Sequence, residues 1–366
     1  MIDVMHILTD SNIGGAGIYL ANYLENYDRD KFNITVVLPT DAQIEKRLSK
    51  SGVRIITAQS IKDCSFSKKA TKELYEIIKK EKPHIVHTHA SLSARIAAFL
   101  CGTAVVHTRH CLEEKKKFPK SVIYRFINNL LSTRVIAVSK AVYDNLVDDG
   151  IKKDKLSVIY NGITPLKKCT PEERENLRKS LGIPKDAIAV GLVARLEDVK
   201  NPVLFANTAK EISRERDDIY FVITGGGSLK REIDKICNGV DNIILTGYRE
   251  DVQNIYNLLD IITLTSKSEA LSISLLEGMS IGLGAVSTAS GGPEEIIENN
   301  VNGLITKNGD INALKNAILY LADNPNVRKQ FGTKAVQTVA EKFGVVTMAR
   351  KTEKLYEEIY LKEVSR

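Results

Sequence analysis

Short apolar, β-branched runs alternate along the chain with longer stretches in which apolar residues recur at helical spacing. Continuous apolar runs between helices are typical of parallel strands that are buried on both faces of a sheet. The runs fall into two series, separated by the turn signal Asn161–Gly162 and by Pro165. The pattern therefore predicts an α/β protein with two doubly wound domains, residues 1–165 and 166–344, and a final helix in residues 345–366.

Each domain is predicted to contain one parallel sheet. The strands expected in the first are Met5–Thr9, Ile34–Leu38, Arg54–Thr57, Ile85–Thr88, Ala104–Thr108, Arg134–Val138 and Leu156–Ile159. Those expected in the second are Ile188–Val193, Ile219–Thr224, Ile243–Leu245, Ile261–Leu264, Ala285–Ser287 and Leu304–Thr306. Ligands of such folds bind beyond the carboxyl ends of the strands, so we expect the functional site there, in a cleft between the domains.

Composition places the chain among ordinary globular proteins. Of its 366 residues, 43% are hydrophobic and 27% are charged, which is close to the average for soluble domains. The longest uncharged apolar run, Ile96–Val106, is far shorter than the roughly 20 residues that span a bilayer. No secretion signal precedes the first strand, and the five cysteines form no CxxC pair. We therefore expect a cytoplasmic protein without disulfides or structural zinc.

Positive charge is concentrated in the first domain. Residues 1–165 contain 25 lysines and arginines and 17 aspartates and glutamates, a net charge of +8, whereas the remainder carries −1. The segment Lys115–Arg125, with apolar residues at helical spacing, is a candidate surface for peripheral binding to anionic lipid at the inner membrane surface. A solvated helix face is the simpler explanation. Nucleic acid is not an expected partner, because no base-recognition motif accompanies the basic residues.

A glycine-rich loop, Gly14–Gly17, follows the first strand. Glycines here would let backbone N–H groups approach a phosphate at the start of the first helix, and a tight turn is the alternative. The third glycine of a dinucleotide fingerprint is missing, since Leu20 holds its position, and no Walker motif occurs. Phosphate proximity is therefore plausible here, and dehydrogenase chemistry is not.

Charged residues follow two strands of the second domain. Arg195 and Lys200 lie five residues apart, where a guanidinium fork and an ammonium group suit a diphosphate. Glu269 and Glu277 straddle a predicted helix start, and the N–H groups of Leu271–Ile273 would be open to an anion. Surface charge explains the first pair taken alone, and a capped helix with incidental acids explains the second.

Four of the six histidines cluster near the ends of two adjacent strands, in His87-Thr88-His89 and His107-Thr108-Arg109-His110. Such pairs occur in zinc sites, but no third and fourth ligand with metal spacing accompanies them. We therefore expect these histidines to hydrogen-bond to a ligand or to loop backbone.

The order of these motifs resembles that of the retaining GT-B glycosyltransferases of glycosyltransferase family 4. The motifs are a Gly-Gly loop, T-x-H, V-S-K, N-G-I, Arg-x4-Lys, a glycine-rich strand end, G-Y-R, and Glu-x7-Glu followed by Gly-Gly. The resemblance extends from Gly14 to the helix that ends near Tyr360, and its most specific part is Ser266–Gly292. It implies two Rossmann-like domains, a nucleotide-sugar donor, retention of anomeric configuration, and no metal or other cofactor.

The resemblance also implies roles for individual residues. Glu277 would bind the ribose hydroxyls of the donor, and Glu269 the hydroxyls of the transferred sugar. Arg195 and Lys200 would neutralise the leaving diphosphate, and His110 would lie beside the donor sugar. Glu269, Arg195, Lys200 and His110 form the implied catalytic set, and Glu277 binds the donor. The other donor-binding residues implied are Gly14, Gly15, Ala16, Tyr248, Arg249, Ala270, Leu271, Ser272 and Ile273, with Tyr248 and Arg249 at the nucleobase.

Three departures from the family pattern concern the backbone. Asn201 and Ala270 stand where glycine is usual, which puts a positive φ at Ala270 in doubt. Gly278 stands where alanine is usual, at a helical cost of about 1 kcal/mol unless close packing requires it.

The resemblance implies a glycosyltransferase of cell-surface polysaccharide or glycan biosynthesis, with a weak preference for a UDP-sugar. Residues 1–165 would bind a glycan or lipid-linked acceptor, residues 166–344 the nucleotide sugar, and residues 345–366 would cross back to the first domain. Two alternatives remain open. One is a GT-B enzyme of other chemistry, such as a sugar-nucleotide epimerase or a phosphorylase. The other is a non-catalytic glycosyltransferase-like subunit that stabilises a partner.

Overall fold

The computed structural model describes residues 1–11, 14–114 and 120–364. The chain divides into two compact units, an N-terminal unit of Met1–Thr164 with Gly344–Arg366, and a C-terminal unit of Pro165–Phe343. Each predicted boundary differs from these by one residue. The last helix belongs to the N-terminal unit, although the whole C-terminal unit separates it from the rest in sequence.

Strands and helices alternate in the described part of the N-terminal unit. Its strands are β1 (Ile2–Leu8), β2 (Phe32–Pro39), β3 (Arg54–Ala58), β4 (Ile85–His89), β5 (Ala104–Arg109), β6 (Arg134–Ala137) and β7 (Leu156–Val158). Its helices are α1 (Gly15–Asn26), α2 (Glu45–Leu48), α3 (Lys68–Glu81), α4 (Leu92–Leu100), α5 (Lys120–Leu131), α6 (Lys140–Asp148) and, from the end of the chain, α15 (Val345–Val364). All strand pairs are parallel, in the order β3-β2-β1-β4-β5-β6-β7.

Helices cover both faces of this sheet. Side chains alternate along β1, so that Val4 and Leu8 face one core and Met5 and Ile7 face the other. Helices α1 and α15 pack on the first face, and α3 and α4 pack on the second. Tyr356 of α15 is fully buried in the first core, so the last helix is an integral part of the N-terminal unit.

The C-terminal unit repeats the plan with a smaller sheet. Its strands are β8 (Ile188–Val193), β9 (Ile219–Thr224), β10 (Ile243–Gly247), β11 (Ile261–Leu264), β12 (Gly284–Thr288) and β13 (Leu304–Thr306), all parallel in the order β10-β9-β8-β11-β12-β13. Its helices are α7 (Pro171–Ser180), α8 (Pro202–Ser213), α9 (Lys230–Cys237), α10 (Val252–Leu258), α11 (Ile273–Ser280), α12 (Pro293–Ile296), α13 (Ile311–Asp323) and α14 (Pro325–Lys342).

The two parallel sheets confirm the predicted α/β class with two Rossmann-like, doubly wound units. Strand order reverses between β1 and β4 in one sheet and between β8 and β11 in the other. Loops diverge at such a reversal and leave a crevice at the carboxyl edge of the sheet. Within residues 1–11, 14–114 and 120–364, no helix is both long enough and apolar enough to cross a bilayer.

Helix α11 packs directly against β11. A Cβ added at Gly278 would lie 2.9 Å from Ile262 Cγ2, closer than real Cβ atoms approach. The glycine at this position is therefore explained by close packing of helix on strand, which offsets its unfavourable helix propensity.

A buried ion-pair network anchors the start of β11. The carboxylate of Asp260 accepts hydrogen bonds from Arg174 Nη2 at 2.7 Å, Arg178 Nη2 at 2.6 Å and the Ala189 N–H at 2.8 Å. Burial alone would raise the pKa of Asp260, but the two guanidinium groups and the N–H hold the pKa below its usual value. This network ties α7 to the central strands of the C-terminal sheet.

We predict that Asp260→Asn lowers the free energy of unfolding of the C-terminal unit by about 3 kcal/mol, because Arg178 keeps a buried charge without its counter-ion. Chemical denaturation at pH 7 measures the change. The matched control is Asp323→Asn, which removes an exposed carboxylate bound to Arg216 and is expected to cost less than about 1 kcal/mol. Equal losses in the two variants would contradict this account of the network.

Candidate active site

The glycine-rich loop leads into the N-terminus of α1. Gly14 is the N-cap residue, with an extended backbone and no side-chain cap. Since the first-turn N–H groups have no acceptor within the helix, they can bind an anion. A Cβ added at Gly15 would meet no described atom within 4 Å, and Ala16 packs against the core. Asn12 and Ile13, the two residues before this loop, lie outside the described residues.

A histidine cluster lies on the face of the N-terminal sheet that α1 and α15 cover. We use this name for His6 of β1, His87 and His89 of β4, and His110, which follows β5. The first three are buried, and His110 is partly buried. His6 Nδ1 lies 3.2 Å from His89 Nε2, and His89 Nδ1 lies 2.9 Å from His110 Nε2. The imidazoles therefore hydrogen-bond to one another in the core.

The expectation that these histidines bond to a ligand or to loop backbone is wrong for His87 and His89. Their partners are side chains, including Tyr356 and other histidines. The sequence spacing also failed to reveal His6, which pairs in register with His87 across β1 and β4. Nitrogens of His6, His87 and His89 lie within 4.8 Å of one another. Every ring nitrogen of these three already has a hydrogen-bond partner.

Burial keeps the histidine cluster uncharged. It lowers the pKa of His6 and of His110 to about 3. The pKa of His87 and of His89 is held well below the usual value by burial and by the neighbouring imidazoles. Desolvation disfavours the protonated ring, so each imidazole keeps one N–H and one bare nitrogen at neutral pH.

We predict that the four imidazoles of the cluster gain no proton between pH 8 and pH 5 in the folded protein. Their folded pKa values lie below the unfolded value of about 6.5, so unfolding takes up protons at lower pH. The stability that they contribute is therefore complete above pH 6.5 and falls progressively below it. Imidazole NMR titrations measure this, with the same protein in denaturant as the control. A cluster histidine that titrates above pH 5 in the folded state would overturn the prediction.

Arg195 and Lys200 lie in the connection between β8 and α8. Arg195 is exposed, and Lys200 is partly buried with its Nζ donating to Glu269 Oε2. Asn201 has a φ of +48°, a left-handed conformation that asparagine tolerates better than most residues. Thr265 Oγ1 donates to the carbonyls of Lys200 at 3.1 Å and Asn201 at 3.0 Å. The turn after Lys200 is thereby tied to the end of β11.

The backbone of Glu269 is held on both sides. Its N–H donates to the Ser290 carbonyl at 2.9 Å, and its carbonyl accepts from the Gly292 N–H at 2.8 Å. A Cβ added at Gly292 would lie 2.0 Å from the Ala270 carbonyl oxygen, so this approach requires glycine. Ser266 Oγ donates to Glu269 Oε2 at 3.1 Å, and the Glu269 side chain is only 10% exposed. The carboxylate is thus fixed against Lys200.

The loop then enters α11. Ala270 is not among the described residues with positive φ, so alanine fits where the family pattern has glycine. Ala270 and Leu271 are buried, and Ser272 Oγ caps the helix by accepting from the Leu275 N–H at 3.2 Å. The N–H of Ile273, in the first turn, has no acceptor within the helix. Glu269 and this helix start therefore offer an acid and anion-binding N–H groups on one loop.

The remaining predicted residues lie on other elements of the same unit. Tyr256 Oη of α10 donates to Glu277 Oε2 at 2.8 Å, which orients the Glu277 side chain on α11. Tyr248 follows β10 and is 67% exposed, so its ring face is open to stacking. Arg249 donates two hydrogen bonds to Asp251, at 2.7 and 2.6 Å. The structure joins Lys200 to Glu269 directly and places Arg195, Tyr248 and Glu277 on three separate segments.

Two family models match the chain. Residues 13–165 match Glycosyltransferase Family 4, and residues 173–338 match Glycosyl transferases group 1. The chain belongs to these glycosyltransferases. The first match contains the glycine-rich loop and three of the four cluster histidines, and the second contains Lys200, Glu269 and Glu277.

Comparisons over the full length agree with this assignment. The glycosyltransferase is 26% identical to UDP-Gal:alpha-D-GlcNAc-diphosphoundecaprenol alpha-1,3-galactosyltransferase of Escherichia coli, over 97% of this chain and 96% of the relative. HepE of Anabaena, solved in complex with UDP-glucose, has a TM-score of 0.85 at 20% identity, over 98% of this chain and 100% of that one. The apo form of the lipopolysaccharide outer core galactosyltransferase WaaB has a TM-score of 0.73 at 18% identity, with 98% and 100% covered. These likenesses in structure confirm the predicted GT-B fold.

Proposed function

We propose that this glycosyltransferase moves a sugar from a UDP-sugar to a hydroxyl group of a glycan or lipid-linked acceptor in cell-surface polysaccharide synthesis. The proposal includes retention of the anomeric configuration and transfer without a metal. The observation that carries it is the Lys200–Glu269 ion pair at the start of α11. It combines a cation suited to a diphosphate and a carboxylate suited to sugar hydroxyls, next to first-turn N–H groups that have no acceptor within α11.

The names of similar proteins support the choice of donor and acceptor. The Escherichia coli relative is named for UDP-galactose and for an acceptor on diphosphoundecaprenol. The Anabaena neighbour was solved with UDP-glucose. Both names contain a uridine diphosphate sugar, and we propose this class of donor for the present chain. We take the lipid-linked class of acceptor from the Escherichia coli relative.

In the proposed donor complex, the C-terminal unit binds UDP through side chains that are already oriented. Glu277, fixed by Tyr256, accepts hydrogen bonds from the ribose hydroxyls. The exposed ring of Tyr248 stacks on uracil. Arg249, whose guanidinium group is oriented by two hydrogen bonds to Asp251, lines the same pocket. Arg195, whose side chain is exposed on the same β8–α8 connection, joins Lys200 at the diphosphate.

The chemical step depends on stabilising the departing diphosphate. The bond between the sugar C1 and the β-phosphate oxygen breaks, and the acceptor oxygen forms its bond to C1 on the same face. The acceptor proton passes to the departing phosphate oxygen. Arg195, Lys200 and the N–H groups of Leu271–Ile273 stabilise the negative charge that develops. Glu269 binds sugar hydroxyls and is not a nucleophile, in contrast to the paired carboxylates of glycoside hydrolases.

We predict that isothermal titration calorimetry detects UDP binding at least tenfold tighter than GDP or ADP binding. Glu277→Ala is expected to weaken UDP binding at least tenfold, because charge-assisted hydrogen bonds to the ribose are lost. Glu298→Ala, which removes an exposed acid on another loop, is the control and should bind as the wild type does.

Folded wild-type protein that binds none of the three nucleotides would contradict the proposal and favour the partner-subunit alternative. Conversion of a bound UDP-sugar to its epimer without an acceptor would favour the epimerase alternative. A product whose anomeric NMR signals show inversion would reject the retaining part alone.

We propose further that the N-terminal unit binds an anionic membrane surface through α5. Val122, Ile123 and Phe126 are 57%, 58% and 67% exposed, and Leu130 extends the same helix face. Phe99 and Leu100 of the adjacent helix α4 are also exposed. The net charge of +8 in residues 1–165 favours anionic lipid as the partner of this apolar surface. Residues 115–119 of the predicted segment Lys115–Arg125 lie outside the described residues.

We predict that the protein sediments with vesicles that contain phosphatidylglycerol at low salt and is released at high salt, because screening weakens the attraction. The double variant Ile123→Ser with Phe126→Ser should bind at least tenfold more weakly, since it loses apolar area at the interface. Val336→Ser, at an exposed apolar position of α14, is the matched control. Wild-type protein that stays in the supernatant, or a double variant that sediments like the control, would contradict the membrane proposal.

A further inference from the structure

A chain of hydrogen bonds runs from the last helix to the end of β5. Tyr356 Oη of α15 lies 3.2 Å from His6 Nε2, and His6 Nδ1 lies 3.2 Å from His89 Nε2. His89 Nδ1 then lies 2.9 Å from His110 Nε2. The hydrogen bonds of these four side chains thus link β1, β4 and the residue after β5 to α15, the last helix in the sequence.

A second branch starts at the same tyrosine. Tyr356 Oη also hydrogen-bonds to His87 Nδ1, and His87 Nε2 lies 2.6 Å from Thr108 Oγ1. Tyr356 is therefore the link between the two branches. Its hydroxyl has one hydrogen, so it can donate to only one of the two histidines and must accept from at least one of them.

Hydrogen counting makes the chain directional. Each bond needs one hydrogen, and each neutral imidazole supplies one N–H and one bare nitrogen. If Tyr356 donates to His6, then His6, His89 and His110 must all carry their hydrogen on Nδ1. If His6 donates to Tyr356, all three must carry it on Nε2. When the Tyr356 hydrogen lies on either of its bonds to histidine, His87 has the same tautomer as the other three.

We propose that Tyr356 and His6 are positioning residues for His110, fixing through His89 which ring nitrogen of His110 carries its hydrogen. The proposal rests on the proposed function and on the role that the family resemblance implies for His110, beside the donor sugar. His110 Nδ1 is buried and has no hydrogen-bond partner among the described residues. The direction of the chain therefore determines whether this nitrogen is a donor or an acceptor, which is the property that a polar substrate group would meet.

Packing holds the rings in the orientations that the chain needs. The ring of Tyr19, fully buried on α1, lies 5.2 Å from that of His110 and 5.6 Å from that of His89. The rings of His6 and His87 are 4.6 Å apart. Rotation of one imidazole in so tight a layer would displace its neighbours. Helix α1 begins at the glycine-rich loop, so the cluster also supports the helix that carries that loop.

A metal ion is the competing interpretation of three close histidines. Binding would require His6, His87 and His89 to give up hydrogen bonds that they already make. The measured metal content of the purified protein and the imidazole nitrogen signals separate the two. Stoichiometric zinc with metal-shifted nitrogens would overturn the positioning role.

The first test is the tautomer of each cluster histidine in the resting wild-type protein, from long-range proton–nitrogen NMR correlations assigned by single His→Asn variants. We expect one common tautomer for His6, His87, His89 and His110. Different tautomers among the four would overturn the inference. This measurement needs no substrate, so it stands or falls separately from UDP binding and sugar transfer.

The second test compares Tyr356→Phe with Tyr360→Phe, which removes a hydroxyl one turn further along the same helix, where the ring packs on His84. In Tyr356→Phe we expect His110 to populate both tautomers and the rate of UDP release from the bound UDP-sugar to fall about tenfold, with UDP affinity unchanged. Tyr360→Phe should behave as the wild type. A single His110 tautomer together with a wild-type rate in Tyr356→Phe would overturn the positioning role of Tyr356. If this variant does not fold, the tautomers measured in the wild-type protein decide the inference.

Discussion

Parallel pairing of all strands within each sheet is the constraint from which the candidate site follows. It brings every loop that succeeds a strand to the same edge, however far apart the loops are in sequence. In the C-terminal unit this edge carries Lys200 after β8, Tyr248 after β10 and Glu269 after β11. The Asp260 network fixes the start of β11 against β8. The contact between Lys200 and Glu269 is thus a consequence of sheet topology.

Close backbone approach is the second condition, and glycine meets it. A Cβ at Gly292 would lie 2.0 Å from the Ala270 carbonyl oxygen, and one at Gly225 would lie 1.9 Å from the Ala194 carbonyl oxygen. The first contact fixes the Glu269 loop, and the second packs the turn after β9 against the segment that bears Arg195. These glycines therefore serve packing between loops, which explains why they follow strands without forming a dinucleotide fingerprint.

The sequence alone was enough to predict the features that depend on residue patterns within short segments. Continuous apolar runs predicted the strands, and the spacing of Glu269 and Glu277 across a helix start placed Glu269 on the β11–α11 connection and Glu277 within α11. The histidine cluster had no such signal, because His6 joins His87 only through the register of β1 against β4. Tyr356 reaches the cluster from about 270 residues further along, through docking of α15. The pairing of Arg249 with Asp251 depends on rotamers that periodicity does not determine.

The central claim is that the loops at the carboxyl edge of the C-terminal sheet bind a uridine diphosphate sugar. A crystal structure of the protein with UDP tests it most directly. The account predicts the ribose hydroxyls within hydrogen-bond distance of Glu277, the diphosphate at Arg195 and Lys200, and uracil against Tyr248. UDP bound elsewhere, with Lys200 still paired only to Glu269 and no contact at Glu277, would contradict it.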